Sequence, residues 1–485
     1  MTSAGAAPAR PGAPVVVETA PLSPGQQRLI ADEFALPGGQ WPEVGAPTRM
    51  RPIDTAAILI DGRLNTDALR SAIGVLAARQ SALRTTFRRL ADGTPVQLVI
   101  RTDGIPLTRS DLPLDPAADV TAELLLRHAP AAVVDPRRDS LFRTHLITTG
   151  PGRHVLLLQI HHLISDGWSI GVLYRDLSEL YHAAVNGDPP RLPVLPTSFA
   201  SFCRQMHHER GSDTNQQQLR YWRDRLCPPL AALPRPATAP AVAADLDTNP
   251  VAVTSVAVDA ATVASLLHTG HHSEHRGGIA GPFLAALALV LHHHTGGTDV
   301  RIGMMISNRG RPNTEHLIGY FVNTAVIRLA VTEHTEIARL TNQATIAVIE
   351  AIEHQELPIQ DLRDTLHDAG ELIQSPLYQV TLALNTMRTG TLELPGLTCR
   401  DIDVEEHRAR IAPTRVEQRW VLEARDGALT GTLTYRTDIP GAIDVLADIS
   451  PAMTAVAIGR GTVAGVSARL RSPSRRPSPA GDGAH

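Results

Sequence analysis

The chain has 485 residues, 43% of them hydrophobic, enough for two domains of ordinary size with real cores. Its formal charge of −4 leaves no basic excess for nucleic acid, and its basic residues are all arginines, which excludes a lysine Schiff base and a Gly-Lys-Ser phosphate loop. The three cysteines, Cys203, Cys227 and Cys399, lack metal or redox spacing, and no signal peptide or apolar run of spanning length is present, so a cytoplasmic protein without a membrane partner is expected.

In chain order, residues 1–20 are small residues and prolines and are expected to lack structure. A helix opens at Leu22-Ser23-Pro24, with Ser23 as cap and Pro24 in its first turn. Residues 55–60 read as a strand, 65–79 as an amphipathic helix, and 82–87 and 96–100 as strand regions. Residues 122–127 suggest a short helix. Residues 141–147 and 155–160 form a strand pair meeting at Gly150-Pro151-Gly152. Helices follow at 168–186, 199–206 and 216–226, and then an Ala/Pro run over 228–250, the best boundary candidate. The second half repeats the mixture. Strands are expected at 251–258, 300–307, 325–329, 378–385 and 428–435, and helices at 260–267, 279–292, 336–353 and 442–456. The end of the chain, rich in Ser, Pro, Arg and Gly, is expected to be disordered.

The chemistry concentrates at His161-His162-Leu163-Ile164-Ser165-Asp166-Gly167, between an apolar strand and a helix. A histidine at a strand end can move protons near neutral pH. Asp166 is placed to fix the local geometry, and Gly167 allows a sharp turn or close backbone approach. Neighbours on a strand alternate faces, so His161 is read as structural and His162 as the working residue. His271, His272 and His275, and then His292, His293 and His294, lack the carboxylates or spacing of a metal site, and no metal is expected.

The string His-His-x-x-x-Asp-Gly resembles the signature of nonribosomal peptide synthetase condensation domains, in the chloramphenicol acetyltransferase superfamily. Further stretches agree in order: Leu22-Ser23 to Ile30, Arg79 to Phe87, Tyr221-Trp222, Asn308-Arg309-Gly310-Arg311-Pro312, Ile318 to Thr324, His354-Gln355-Glu356-Leu357-Pro358, and Ser375 to Val380. The likeness covers roughly residues 20 to 460. It departs at Gln80 and Ser81, where the family has His and Glu, and at Ser198 to Phe202, which replaces Tyr-x-Asp-Tyr.

The resemblance implies an α/β (α+β) fold of two chloramphenicol-acetyltransferase-like lobes, a V-shaped pseudo-dimer with a tunnel at the seam. Residues 21–190 would form the first lobe with the His-His turn, 191–250 the inter-lobe helices and linker, and 251–460 the second lobe, leaving 461–485 as a disordered tail. It implies an acyltransferase joining a carrier-bound acyl or aminoacyl thioester to an amine. His162 would be catalytic, as base or positioning group, with His161, Asp166, Gly167 and Arg309 supporting, and Asp166 paired to Arg309.

It implies no cofactor of its own: phosphopantetheine arms come on a donor carrier, with an acceptor carrier or a free nucleophile as the other partner. No adenylation or carrier motif is visible, so a free-standing, monomeric enzyme is expected. The intact histidines and Gly167 argue against cyclising, recruitment and epimerising relatives. Ester formation with an alcohol acceptor, or a carrier-binding scaffold, are the alternatives.

Overall fold

The structure is a computed structural model that describes residues 15–34, 53–102, 104–114, 137, 140–227, 233–234, 250–271, 278–368, 377–386, 390–402, 416–439 and 441–471. The strands in chain order are β1 (Val16–Pro21), β2 (Ile53–Asp61), β3 (Thr85–Arg89), β4 (Pro95–Ile100), β5 (Leu107–Asp111), β6 (Phe142–Gly150), β7 (Arg153–His161), β8 (Val251–Val258), β9 (Asp299–Ile306), β10 (Asn323–Ala330), β11 (Val380–Asn385), β12 (Thr398–Ile402), β13 (Gln418–Arg425) and β14 (Ala428–Arg436). The helices are α1 (Pro24–Phe34), α2 (Thr66–Arg79), α3 (Gly167–Asn186), α4 (Phe199–His208), α5 (Asp213–Leu226), α6 (Ala260–His271), α7 (Ala280–Thr295), α8 (Ile337–Glu353), α9 (Ile359–Asp368), α10 (Asp444–Ile458) and α11 (Val463–Ser467). This is the mixed α/β class expected.

The chain divides into two compact units, each drawn from separated stretches. The first takes residues 1–208, 311–320 and 389–402, and the second the remainder. The sequence-based lobes were continuous; here two short segments from the second half belong to the first unit, and the helices expected between lobes are divided, α4 to the first and α5 to the second.

The first unit holds a five-stranded sheet in the order β12-β2-β7-β6-β5 and a three-stranded sheet β1-β4-β3. The large sheet is antiparallel except for the parallel pair β5 and β6. Its centre is β7, where Val155, Leu156, Leu157 and Leu158 are all buried, as a continuous apolar run implies. Helix α2 starts on Asn65, whose side chain accepts the Ala68 amide, and packs against α3. Helix α3 ends at Gly187 in the left-handed conformation, the usual glycine stop.

The second unit holds a mixed six-stranded sheet, β10-β9-β11-β13-β14-β8. The pairs β9/β11 and β11/β13 are parallel, and the other pairs are antiparallel. Helix α7 is apolar on every side and buried along nearly its whole length. It packs against α8 and α10, and Gly281 is what admits α8: a Cβ there would lie 2.7 Å from the Thr345 Cα.

Several expectations change. Residues 16–20 are not structureless, because β1 pairs along β4. The start of the supposed tail is also ordered: α11 is capped by Thr462. The elements β5, α9, β12 and β13 were not foreseen. The predicted helix at 122–127, His272, His275, the Ser375-Pro376 pair and most of the Ala/Pro run lie outside the described residues. Among the described residues, no helix is long and apolar enough to cross a membrane.

Candidate active site

Strand β7 ends at His161, and the chain makes one 3-10 turn, His162–Ile164, before α3. His161 is fully buried. Its Nδ1 accepts the Leu163 amide at 3.0 Å and its carbonyl accepts the Ser165 hydroxyl at 3.2 Å, so this histidine organises the turn. His162 is half-buried. Asp166 is buried and caps α3: its Oδ1 accepts both the amide and the hydroxyl of Ser169, at 2.9 and 2.8 Å. Gly167 is the first helical residue and is exposed, which keeps the mouth of the turn free of side chain.

The turn is held from behind by Gln26, wholly buried on α1. Its Nε2 donates to the Leu163 carbonyl at 2.8 Å and its Oε1 accepts the Ser23 amide at 2.9 Å, while the Ser23 hydroxyl accepts the Gln26 amide at 3.1 Å. This reciprocal capping box fixes the start of α1 and the back of the histidine turn together. The Leu-Ser-x-x-Gln stretch carries that signal: Ser23 is the cap the sequence predicts, and Gln26 is its partner.

The segment 311–320 closes on the same turn. The Ser169 hydroxyl accepts the Gly319 amide at 3.1 Å and lies 3.0 Å from the Gly319 carbonyl. The Trp168 indole donates to the Glu315 carbonyl at 2.9 Å. Tyr320 follows, its ring centroid 6.4 Å from that of His162 in an edge-on arrangement. Gln80, one of the departures from the family pattern, is buried beneath this segment. Ser198 and Ser201, in the other departing stretch, bond to Glu18 of β1, which Arg204 also meets at 2.6 Å. Both departures therefore have partners of their own.

Arg309 belongs to the second unit. It is nearly buried, and its guanidinium lies 4.0 Å from the centroid of the Phe321 ring. In that unit several recognised stretches meet. Trp222 donates to the His354 carbonyl at 2.9 Å, Tyr221 stacks on the His354 ring at 3.6 Å, and Asn323 Nδ2 donates to the carbonyls of Gln355 and Leu357 at 2.9 and 2.6 Å. Beside Glu350 and buried in part, the Tyr221 phenol is pushed well above its ordinary range, first by burial and then by that carboxylate, so it acts as a hydrogen-bond donor. These motifs brace a scaffold.

The histidines ending α7 gain a carboxylate that the sequence did not reveal beside them. His293, His294 and Asp448 bring ligand atoms within 4.8 Å of one another. Each histidine Nε2 already donates to an oxygen, His293 to the Arg471 carbonyl at 2.7 Å and His294 to Asp448 at 2.9 Å. Both Nδ1 atoms are buried without a hydrogen-bond partner among the described residues. Through the two Nε2 bonds the cluster clasps the chain at Arg471 and ties α7 to α10.

The condensation-domain family matches residues 53–426. The chain is 32% identical over 456 residues to phosphinothricin tripeptide synthetase PhsC of Streptomyces viridochromogenes, covering 91% of this chain and 39% of the relative. It is 31% identical over 391 residues to chondramide synthase cmdD of Chondromyces crocatus, covering 78% of this chain and 10% of the relative. The chain thus spans a minor part of either synthetase. Among solved structures, the X-domain from teicoplanin biosynthesis superposes with a TM-score of 0.73 at 24% identity, covering 96% of this chain and 99% of the X-domain. That X-domain is also known in complex with OxyB.

Proposed function

The chain belongs to the condensation-domain family, and on that premise we propose that it is an acyltransferase joining a carrier-bound acyl or aminoacyl thioester to an acceptor amine, with His162 at the reacting centre. The observation that carries this reading is the state of the histidine turn. His161, Ser165, Asp166 and Ser169 are buried and His161, Asp166 and Ser169 are tied down, whereas His162 alone among the site histidines keeps an accessible side.

In the proposed reaction the amine nitrogen attacks the thioester carbonyl, its proton is lost, the tetrahedral intermediate collapses, and the phosphopantetheine thiol leaves carrying a proton. His162 orients the amine, takes up the proton the nitrogen loses and hands it to the departing thiolate. Orientation alone can supply several kcal/mol of the barrier. The phosphopantetheine arms belong to the partners, a donor carrier and either an acceptor carrier or a free nucleophile. An alcohol acceptor would use the same residues and yield an ester. The pairing of Asp166 with Arg309 is part of the proposal and would keep both charges satisfied as they leave water.

A second reading, a carrier- or enzyme-binding platform, is favoured by the likeness to a domain known in complex with another protein. One experiment separates the two. Donor carriers loaded with a panel of acyl and aminoacyl thioesters are mixed with the protein and with amine or alcohol acceptors, and products are read by intact-protein mass spectrometry for wild type and His162→Ala. Product that vanishes in His162→Ala, with the melting temperature unchanged, supports the enzyme and identifies amide or ester. Carrier binding without product from any pair supports the platform.

A further inference from the structure

We propose that Tyr320 is a positioning residue for His162, set in place by Ser169 and Gln80, so that the segment 311–320 orients the histidine ring. This deepens the reading above and rests on it for its catalytic consequence.

The backbone immediately before Tyr320 is fixed at two successive amides. The Ile318 N–H donates to Gln80 Oε1 at 3.0 Å, and the Gly319 N–H donates to the Ser169 hydroxyl at 3.1 Å. Ser169 is in turn anchored on Asp166, the cap of α3. The same carboxylate that starts the helix after the histidine turn therefore holds, through one hydroxyl, the peptide that delivers Tyr320.

The ring is confined from the other side by α1. Gly25 leaves room for it: a Cβ there would lie 2.7 Å from Tyr320 Cε1, so no other residue fits at 25 with the ring in place. The phenol oxygen accepts from Arg28 Nη2 at 3.3 Å. Tyr320 is buried, and its ring meets His162 edge-on, with planes 61° apart and centroids 6.4 Å apart, inside the range where aromatic rings attract. A half-buried imidazole with a rigid aromatic wall on one side has fewer ring orientations open to it, which is what a group that must meet an incoming nitrogen requires.

The test uses full-length protein labelled at the histidine side chains. The His162 ring signals are assigned by their loss in His162→Ala and followed through a pH titration in wild type, Ser169→Ala, Gly25→Ala, Tyr320→Ala and Tyr320→Phe. The expected result is that Ser169→Ala, Gly25→Ala and Tyr320→Ala each shift the ring signals and the titration midpoint of His162, and that Tyr320→Phe restores them, because it keeps the ring and its ring current. Single-turnover condensation is expected to fall roughly ten- to a hundredfold in Tyr320→Ala with KM little changed, and to recover in Tyr320→Phe.

Unaltered His162 signals and midpoint in Tyr320→Ala and Gly25→Ala, in protein that melts as a folded species, overturn the proposal. The ring signals report on positioning even if wild type makes no product, so failure of the enzyme reading and failure of this one are distinguishable. A protein that makes product through His162 while the ring ignores Tyr320 refutes only the positioning role. Should Tyr320→Ala fail to fold, Gly25→Ala, which displaces the ring without removing it, decides by the same shift.

Discussion

Gln80, the residue that ends α2, donates through its side-chain amide to the buried Asp176 carboxylate of α3 at 2.9 Å. The same Nε2 donates to the His316 carbonyl at 3.0 Å, and its Oε1 accepts the Ile318 amide at 3.0 Å. Arg79 and Arg175 meet the carboxylate at 3.0 and 2.5 Å. Only an amide can give and accept in this arrangement. Gln80→Leu is expected to cost about 1–3 kcal/mol by leaving buried partners unsatisfied. Gln80→Glu is expected to cost more near neutral pH, where it sets two carboxylates side by side, and to regain stability on acidification as the new carboxyl becomes a donor. Urea denaturation at two pH values checks this; equal stability of Gln80→Glu and wild type at pH 7 would remove Gln80 from its role as a clamp.

Asp166 is a cap first. Asp166→Ala removes the acceptor for the Ser169 amide and leaves its hydroxyl to the Gly319 carbonyl, and the lost cap is expected to cost about 0.5–2 kcal/mol. Asp166→Asn keeps an acceptor and is expected to recover part of this loss. If Arg309 is its partner, a double-mutant cycle with Arg309→Met gives a coupling of about 0.5–3 kcal/mol; additive losses would leave Asp166 as a cap alone.

Two glycines have opposite prospects. A Cβ on Gly431 would stand 1.9 Å from the Val421 carbonyl on the neighbouring strand, so Gly431→Ala is expected to strain the centre of the second sheet by about 3 kcal/mol. Gly74, within α2, has open space around its Cβ position, and Gly74→Ala is expected to gain about 0.5–1 kcal/mol from helix propensity. Thermal melts of the two variants should move in opposite directions.

Acid sensitivity should run through His294. Burial lowers its proton affinity below the ordinary value of 6.5, more than the Asp448 carboxylate raises it. The unfolded chain then binds the extra proton more readily, so the contribution of His294 is fully present above about pH 6.5 and is lost as pH falls from there through the lower folded value. His294→Gln should show a flatter stability profile in that window than wild type. Parallel profiles would remove His294 from this role; His145 and His154, whose proton affinities burial also lowers, are the next to substitute.

What could be read in advance was whatever is local. Helix α3 announced itself through its apolar spacing, and β7 through four consecutive branched or long apolar residues. The strands β5 and β12 did not. Leu107-Thr108-Arg109-Ser110-Asp111 and Thr398-Cys399-Arg400-Asp401-Ile402 are polar edge strands with little to bury, and their partners, not their residues, make them strands. The same divide runs through the site. The His-His-x-x-x-Asp-Gly string placed His161, His162 and Asp166 in one turn, but Gln26 lies 137 positions before Leu163 and Gly319 lies 150 after Ser169. Asp448 is equally remote from His294, at 154 positions, and no spacing rule finds such a carboxylate.

The place of β12 also gives the protein a timetable. Strand β2 pairs with β7 on one side and with Thr398–Ile402 on the other, so until residue 402 has been made its outer edge is a bare row of amides and carbonyls, able to recruit any passing strand. At ordinary ribosomal speeds that exposure lasts roughly ten to forty seconds beyond the synthesis of residue 208, and through it the edge stays open until β12 arrives to cover it.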